Sequence, residues 1–318
     1  MSQPNIAPYE FIKSITQPFQ SRDGFVWRVA IMMAALFSVT LIIFFPMVFT
    51  EYGQLLDINK QNMQAILAGR EPEGSEEIAA IFLSIWQPYL IMNLLLMLIP
   101  FAGETALHRK YLLGEEKHTV PLRFMQPELR TTLVVFGVWL IVLFGYLLLS
   151  FAVGFLGSIF AWVSPAFGTL VALLGVIFLF GFLVRFSIRL APASALSLRE
   201  NKLHILKARD VSDGRFGSML GSYAFVFFVG YMILMSVLSL LVKLVFGEAQ
   251  IFTSINGLGD NLPSETLKAM AEQLQSPLKK VMGVAALVTY FTIMSLWFLM
   301  LSGIGTYTVK LWGSENRD

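Results

Sequence analysis

From Thr131 to Val184 the chain runs for 54 residues without one Asp, Glu, Lys, Arg or His. A water-facing surface cannot be built from such a stretch, because soluble domains carry roughly 25% charged residues. Over the whole chain only 14% are charged and 56% are hydrophobic. The solvent is therefore a bilayer. In hydrocarbon each backbone N–H and C=O must be satisfied inside the protein, which makes apolar runs of this length helical. The expected fold class is all-α: a polytopic membrane protein with six transmembrane helices as three hairpins, plus short interfacial helices.

About 20 apolar residues cross the hydrocarbon core. The charge-free stretch is too long for one crossing and long enough for two with a tight turn. Gly154, Gly157, Ser164 and Pro165 are the residues expected to supply that turn. The expected spans are Val29–Thr50, Ile78–Gly103, Thr131–Ala161, Phe167–Arg189, Phe216–Phe246 and Val281–Lys310. They form one transmembrane domain over residues 1–318, with an N-terminal interfacial segment at 1–25. The first run is too long for a cleavable signal and has no small-x-small site after it, so it reads as a retained helix. Zero cysteines exclude disulfides, thiolate metal sites and thiol catalysis.

Orientation follows from Lys and Arg. Taken with the cations at the adjoining span ends, the segments before span one, between two and three (104–130), between four and five (190–215), and after six hold 17 of the 23. The other three loops, including 51–77 and 247–280, hold six when their span ends are counted in the same way. Both termini are therefore expected in the cytoplasm, with the chain multi-pass in its membrane. The run Glu71, Glu73, Glu76, Glu77 lacks the Asp/Asn alternation and closing Glu of a calcium loop, and reads as solvated.

Seven of the 23 cations lie between Arg185 and Leu220, flanked by charge-free runs. A helical stretch is expected there through Lys207. Its apolar residues fall in two stripes, Leu196, Leu203 and Leu206 against Leu198 and Ile205, with Arg199 interrupting the first. Such a pattern suits a segment gripped on two sides, by lipid and by the bundle. Ser212 or Asp213 is the expected cap of the next span. Arg185, Arg189, Arg199, Lys202 and Arg215 are the candidate contacts for lipid head groups or a partner, since cations beside helix ends attract anionic lipid. Ordinary topology determination accounts for the same bias.

Few polar groups enter the spans. Gln87 and Asn93 are the notable ones. Asn93 is expected to make an interhelical hydrogen bond, as a mid-membrane amide needs a partner. No ionisable group sits at a span centre, which disfavours a proton-coupled pump or a carrier of charged solutes. Residues 8–17 form an amphipathic segment with Phe11, Ile12 and Ile15 on one side, either in the interface plane or packed under the bundle. Ser150, Gly154, Ser158 and Ala161, and again Gly217 and Gly221, are spaced for close helix approach. Pro263 and Pro277 are expected to bracket a short helix. Glu104 and His108 share a helical face, but two ligands are too few for a metal site.

The helix ends FAGETALHR, LAPASALSLR and GIGTYTVK share small residues followed by a base. With the polar turns SRDGF, MQPELR and SDGRF before spans one, three and five, they suggest three hairpins of like orientation.

Motifs for catalysis are missing: no H-E-x-x-H, P-loop or G-x-S-x-G occurs. Asp213, Gly214 and Arg215 match the start of a phosphatidyltransferase motif. That chemistry needs further aspartates a turn or two along, and the next acidic residue is Glu248. The run Arg185-x-x-x-Arg189-Leu-Ala-Pro-Ala193, the basic loop, and the Asp213-Gly-Arg-Phe216 turn resemble a group of bacterial six-helix inner-membrane proteins. That group includes the membrane domain attached to some glycerophosphodiester phosphodiesterases. The resemblance covers mainly spans four and five and the loop between them. This chain lacks the soluble phosphodiesterase barrel, so that activity is not carried over. The resemblance implies a non-catalytic inner-membrane protein tied to lipid or envelope homeostasis.

The expected function is a lipid- or partner-binding accessory protein without a catalytic site. The alternative is a transporter or channel for a neutral or lipidic solute. Membrane lipids, a second copy of the chain or another membrane protein are the expected partners; no nucleic acid, metal or cofactor is expected.

Overall fold

The computed structural model of the chain describes residues 9–20, 23–67, 69, 75–115, 122, 125–246 and 276–315. Among them every regular element is helical. Helix α1 is Phe11–Thr16, followed by a 3-10 turn at Gln17–Phe19. Then come α2 (Phe25–Leu67), α3 (Ser75–Leu112), α4 (Gln126–Val163) and α5 (Pro165–Leu190). Two short helices follow, α6 (Ala193–Arg199) and α7 (Ala208–Ser212), and two long ones, α8 (Phe216–Phe246) and α9 (Pro277–Glu315). Six of them, α2 to α5, α8 and α9, are long and apolar enough to cross a membrane. The chain is an all-α, polytopic membrane protein.

Most spans overrun their expected limits. Helix α2 continues past Thr50 to Leu67, so the helix of span one runs on into the expected loop at 51–77. Its 43 residues make about 65 Å at 1.5 Å per residue, roughly twice the hydrocarbon thickness. Pro277 opens α9. It occupies the first turn, where its missing N–H costs nothing, and Ser276 Oγ accepts from Lys279 N at 3.2 Å. The short helix expected before Pro277 falls at 263–276, almost wholly outside the described residues.

Helices α4 and α5 form a hairpin closed by one extended residue, Ser164, with Pro165 starting the return helix. Gly154 and Gly157 stay helical and take no part in the turn. The close seam is also offset from the expected one. A Cβ on Gly154 would meet nothing within 4 Å, and Ser158 Oγ donates to Gly154 O in its own helix. Instead Gly157 faces Ala172, a Cβ on Gly168 would lie 2.6 Å from Ala161 Cβ, and one on Gly175 would lie 2.3 Å from Val153. So the seam runs Val153, Gly157, Ala161 against Gly175, Ala172, Gly168, and helix backbones meet closely there.

The chain divides into two compact units. One takes in Ala30–Pro100 and Gly230–Leu296. Its buried apolar residues include Met33, Phe37, Ile81 and Ile85, and Phe37 stacks on Phe291 at 5.1 Å. Gln87 and Asn93 are both exposed in this unit. Asn93 Nδ2 donates to Tyr89 O at 2.8 Å, one turn back on α3. Its amide donor is thus satisfied within its own helix and not by the interhelical bond expected for it; such back-bonding relieves an isolated polar group.

The other unit takes in Met1–Val29, Phe101–Val229 and Trp297–Asp318. Helix α1 packs inside it. Of the expected apolar stripe only Ile15 is buried, with Val226 and Ile304, while Ile12 is 73% exposed. The buried face also uses Ser14, whose Oγ lies 3.0 Å from Ser222 Oγ, and Gln17. Tyr9 meets Tyr307 edge-on at 5.4 Å, and Pro18 fills the space beside Gly303. Packing against protein accounts for this face, and Ile12 with the Lys13–Glu10 pair faces outward.

Candidate functional site

The three helix ends that share a sequence pattern also share an environment. Residues 102–109, 192–198 and 303–309 are each buried without interruption. A helix hidden on every side must satisfy its polar side chains internally. Four of them do so together. His108 Nδ1 lies 2.9 Å from Thr306 Oγ1, which itself donates to Ser302 O, so the ring N–H points to threonine. His108 Nε2 lies 3.1 Å from both Glu104 Oε1 and Ser194 Oγ, and Ser194 donates to the same carboxylate oxygen. This cluster ties α3, α6 and α9.

A serine, a histidine and a carboxylate in contact invite comparison with a hydrolase triad. There the nucleophile and the acid engage opposite ring nitrogens, so that the acid orients the base. Here both meet Nε2, and the other nitrogen is held by a threonine. Ser194 is buried and its proton points at Glu104. The arrangement fastens helices and does not present a nucleophile. The sequence showed Glu104 and His108 on one face; their partners come from 86 and 198 residues away, a distance no local pattern can bridge.

A ring of ion pairs surrounds this cluster. Arg109 Nη1 lies 2.5 Å from Glu128 Oε1, both nearly fully buried, and Glu128 Oε2 also accepts from Met125 N at the start of α4. Lys110 Nζ lies 2.8 Å from Asp23 Oδ2, and Asp23 Oδ1 accepts from Phe25 N, capping α2. Tyr111 donates to Pro18 O at 2.6 Å.

The expected continuous helix to Lys207 is broken. After α6 the chain turns at Asn201, whose φ of +56 is left-handed, and helix resumes only at Ala208. The result is a strap, residues 200–213, laid across the end of the α4–α5 hairpin. Arg130 of α4 donates to Asn201 Oδ1. Ile205 packs against the buried cluster of Val134, Ala193 and Ala208, and a Cβ on Gly137 would lie 2.6 Å from its Cδ1. Ala208 is buried with Val134 and Ala193. At the far end Arg189 Nη2 of α5 meets Asp213 Oδ1 at 3.0 Å. Glu200 is clasped by Lys207 at 2.7 Å and His204 at 2.8 Å. Burial pushes the Glu200 carboxyl up, but these partners outweigh it and hold it below its ordinary value.

These contacts sort the candidate cations. Arg199 donates to Val309 O at 2.9 Å and lies over the Trp312 ring, passing over Gly313, where any Cβ would collide with the guanidinium. That role explains its interruption of the apolar stripe. Arg215 is buried and donates to Val211 O. Arg189 is held by Asp213, so Asp213 serves as an ion-pair partner and Ser212 donates to Arg209 O; neither side chain bonds to α8 as its expected cap. Arg185 and Lys202 are exposed, and so is Arg209, which the sequence reading passed over. The two-stripe reading holds in part: Leu196 and Leu198 are buried, whereas Leu203 and Leu206 are 61% and 69% exposed.

Depth along the hairpin follows from the helical rise. Trp162, 93% exposed beside the closed turn, suits one membrane interface. Arg185 stands 20 residues beyond Pro165, about 30 Å away, which matches the hydrocarbon thickness. Gly137, the level of Ile205, stands about 40 Å from the turn, about 10 Å farther than Arg185 and at the outer edge of the opposite head-group layer. Comparison of the chain with protein-family models, curated proteins and solved structures finds no match.

Proposed function

We propose that this chain is an inner-membrane accessory protein of a bacterium, without a catalytic site, that binds anionic lipid or a membrane partner at its basic end, with both termini in the cytoplasm. One observation carries this reading. Most cations at this end are engaged inside the protein, yet Arg185 is left exposed about one hydrocarbon thickness from the closed turn of its hairpin. A guanidinium at that boundary meets lipid phosphate, and the exposed Lys202 and Arg209 of the loop that follows add to the attraction. The carrier alternative draws no support from Asn93, which is satisfied on its own helix.

Native mass spectrometry tests the reading. Purified protein offered equal phosphatidylglycerol and phosphatidylcholine is expected to retain the anionic lipid in excess. The triple variant Arg185→Ala, Lys202→Ala, Arg209→Ala is expected to lose that preference, by about five-fold per cation removed. Equal retention of both lipids, or a preference unchanged in the variant, contradicts the reading.

A further inference from the structure

The strap has two properties that a loop facing only water would not combine. It exposes two leucines, Leu203 and Leu206, flanked by the exposed cations Lys202 and Arg209. It is also fixed in depth: Ile205, between the leucines, lies against Gly137 inside the charge-free stretch of α4 and packs on the cluster of Val134, Ala193 and Ala208. Its acidic residues do not cancel the cations. Glu200 is bound to Lys207 and His204, and Asp213, itself exposed, is bound to Arg189; Asp210 is exposed as well.

We propose that the strap lies in the head-group layer of the inner leaflet of the chain's own membrane, with Leu203 and Leu206 turned toward the acyl chains and with Lys202, Arg209 and Arg185 gathering phosphates of anionic phospholipid. The proposal rests on the lipid reading above and adds the site and the depth. The pins at Asn201, Ile205, Ala208 and Asp213 hold the strap at this level whether or not lipid is bound. Burying exposed leucine surface in acyl chains is favourable, so partial burial in lipid stabilises the same position. Basic residues beside apolar ones are the composition of segments that lie at an anionic membrane surface.

The chain has no cysteine, so single labels are simple to place. Leu203→Cys and Leu206→Cys, each carrying a nitroxide, are reconstituted in vesicles of phosphatidylglycerol and phosphatidylcholine, with exposed Ser314→Cys as the aqueous reference. Both strap labels are expected to collide with oxygen several-fold more, relative to a water-soluble nickel chelate, than the reference does. Labels as open to the chelate as the reference overturn the strap proposal. If phosphatidylglycerol is still retained in that case, the lipid reading survives; if retention is also lost, both fall. Labels shielded from oxygen and chelate alike show that a protein covers this face, which also overturns the proposal.

Discussion

Replacing Gly168 with valine is expected to destabilise the chain by about 3 kcal/mol, at the upper end of the usual cost of overpacking. An added Cβ there lies 2.6 Å from Ala161 Cβ, 2.7 Å from its Cα and 2.8 Å from its N. Two of these three atoms are backbone, and the backbone cannot retreat. Seven residues separate the two positions, and Ser164 N to Phe160 O and Gly168 N to Ser164 O close the turn between them. The hairpin must open at its closed end, which also loosens Gly175 against Val153. The comparison variant is Gly181→Ala, where a Cβ meets nothing within 4 Å. That change is expected to be neutral or to stabilise by up to about 1 kcal/mol, through helix propensity alone. Unfolding in mixed micelles, followed by circular dichroism, reads both. Equal stability of Gly168→Val and the parent chain would show that the seam is wrongly placed.

Glu128→Ala is expected to cost about 3–5 kcal/mol, the range for removing one member of a buried ion pair. Glu128 does two jobs at once, meeting Arg109 at 2.5 Å and accepting from Met125 N at 3.1 Å. Without it the buried guanidinium loses its partner at 2.5 Å, and Glu115 stands 3.8 Å away and is partly exposed. The double variant Arg109→Met, Glu128→Leu is expected to recover much of the loss, because the uncompensated charge is gone. Additive losses in the double variant would contradict a direct pairing. The same unfolding assay measures both.

Much of the architecture is legible in residue order because the bilayer is a severe solvent. Charge-free length alone placed six spans, and the bias of Lys and Arg marked one end as basic. Boundaries were less legible, since helices do not stop where hydrocarbon stops. Helix α2 carries on through Glu51, and Pro277 opens a helix that apolar content would start at Val281. The small residues of α4 were visible, but the face they present was not: which of two interleaved sets meets α5 depends on the one-residue turn at Ser164. Arg199 was visible as an exception in an apolar stripe, and its reason, a carbonyl and a tryptophan on α9, was not. The Glu104, His108, Ser194 and Thr306 cluster was hidden for the same reason, because its members are joined only by the convergence of three helix ends. What could have found it is the repeat of small and hydroxyl residues at those ends, which is also where burial is continuous.

Everything proposed for lipid contact depends on the basic end facing the cytoplasm, and cysteine accessibility in cells tests that most directly. Single variants Lys202→Cys and Ser314→Cys mark the basic end, and Met63→Cys marks the far extension of α2, where the side chain is exposed. A membrane-impermeant maleimide applied to intact spheroplasts is expected to label Met63→Cys at once and the other two only after permeabilisation. Labelling of Lys202→Cys and Ser314→Cys in intact spheroplasts, with Met63→Cys protected, would invert the chain and contradict the account.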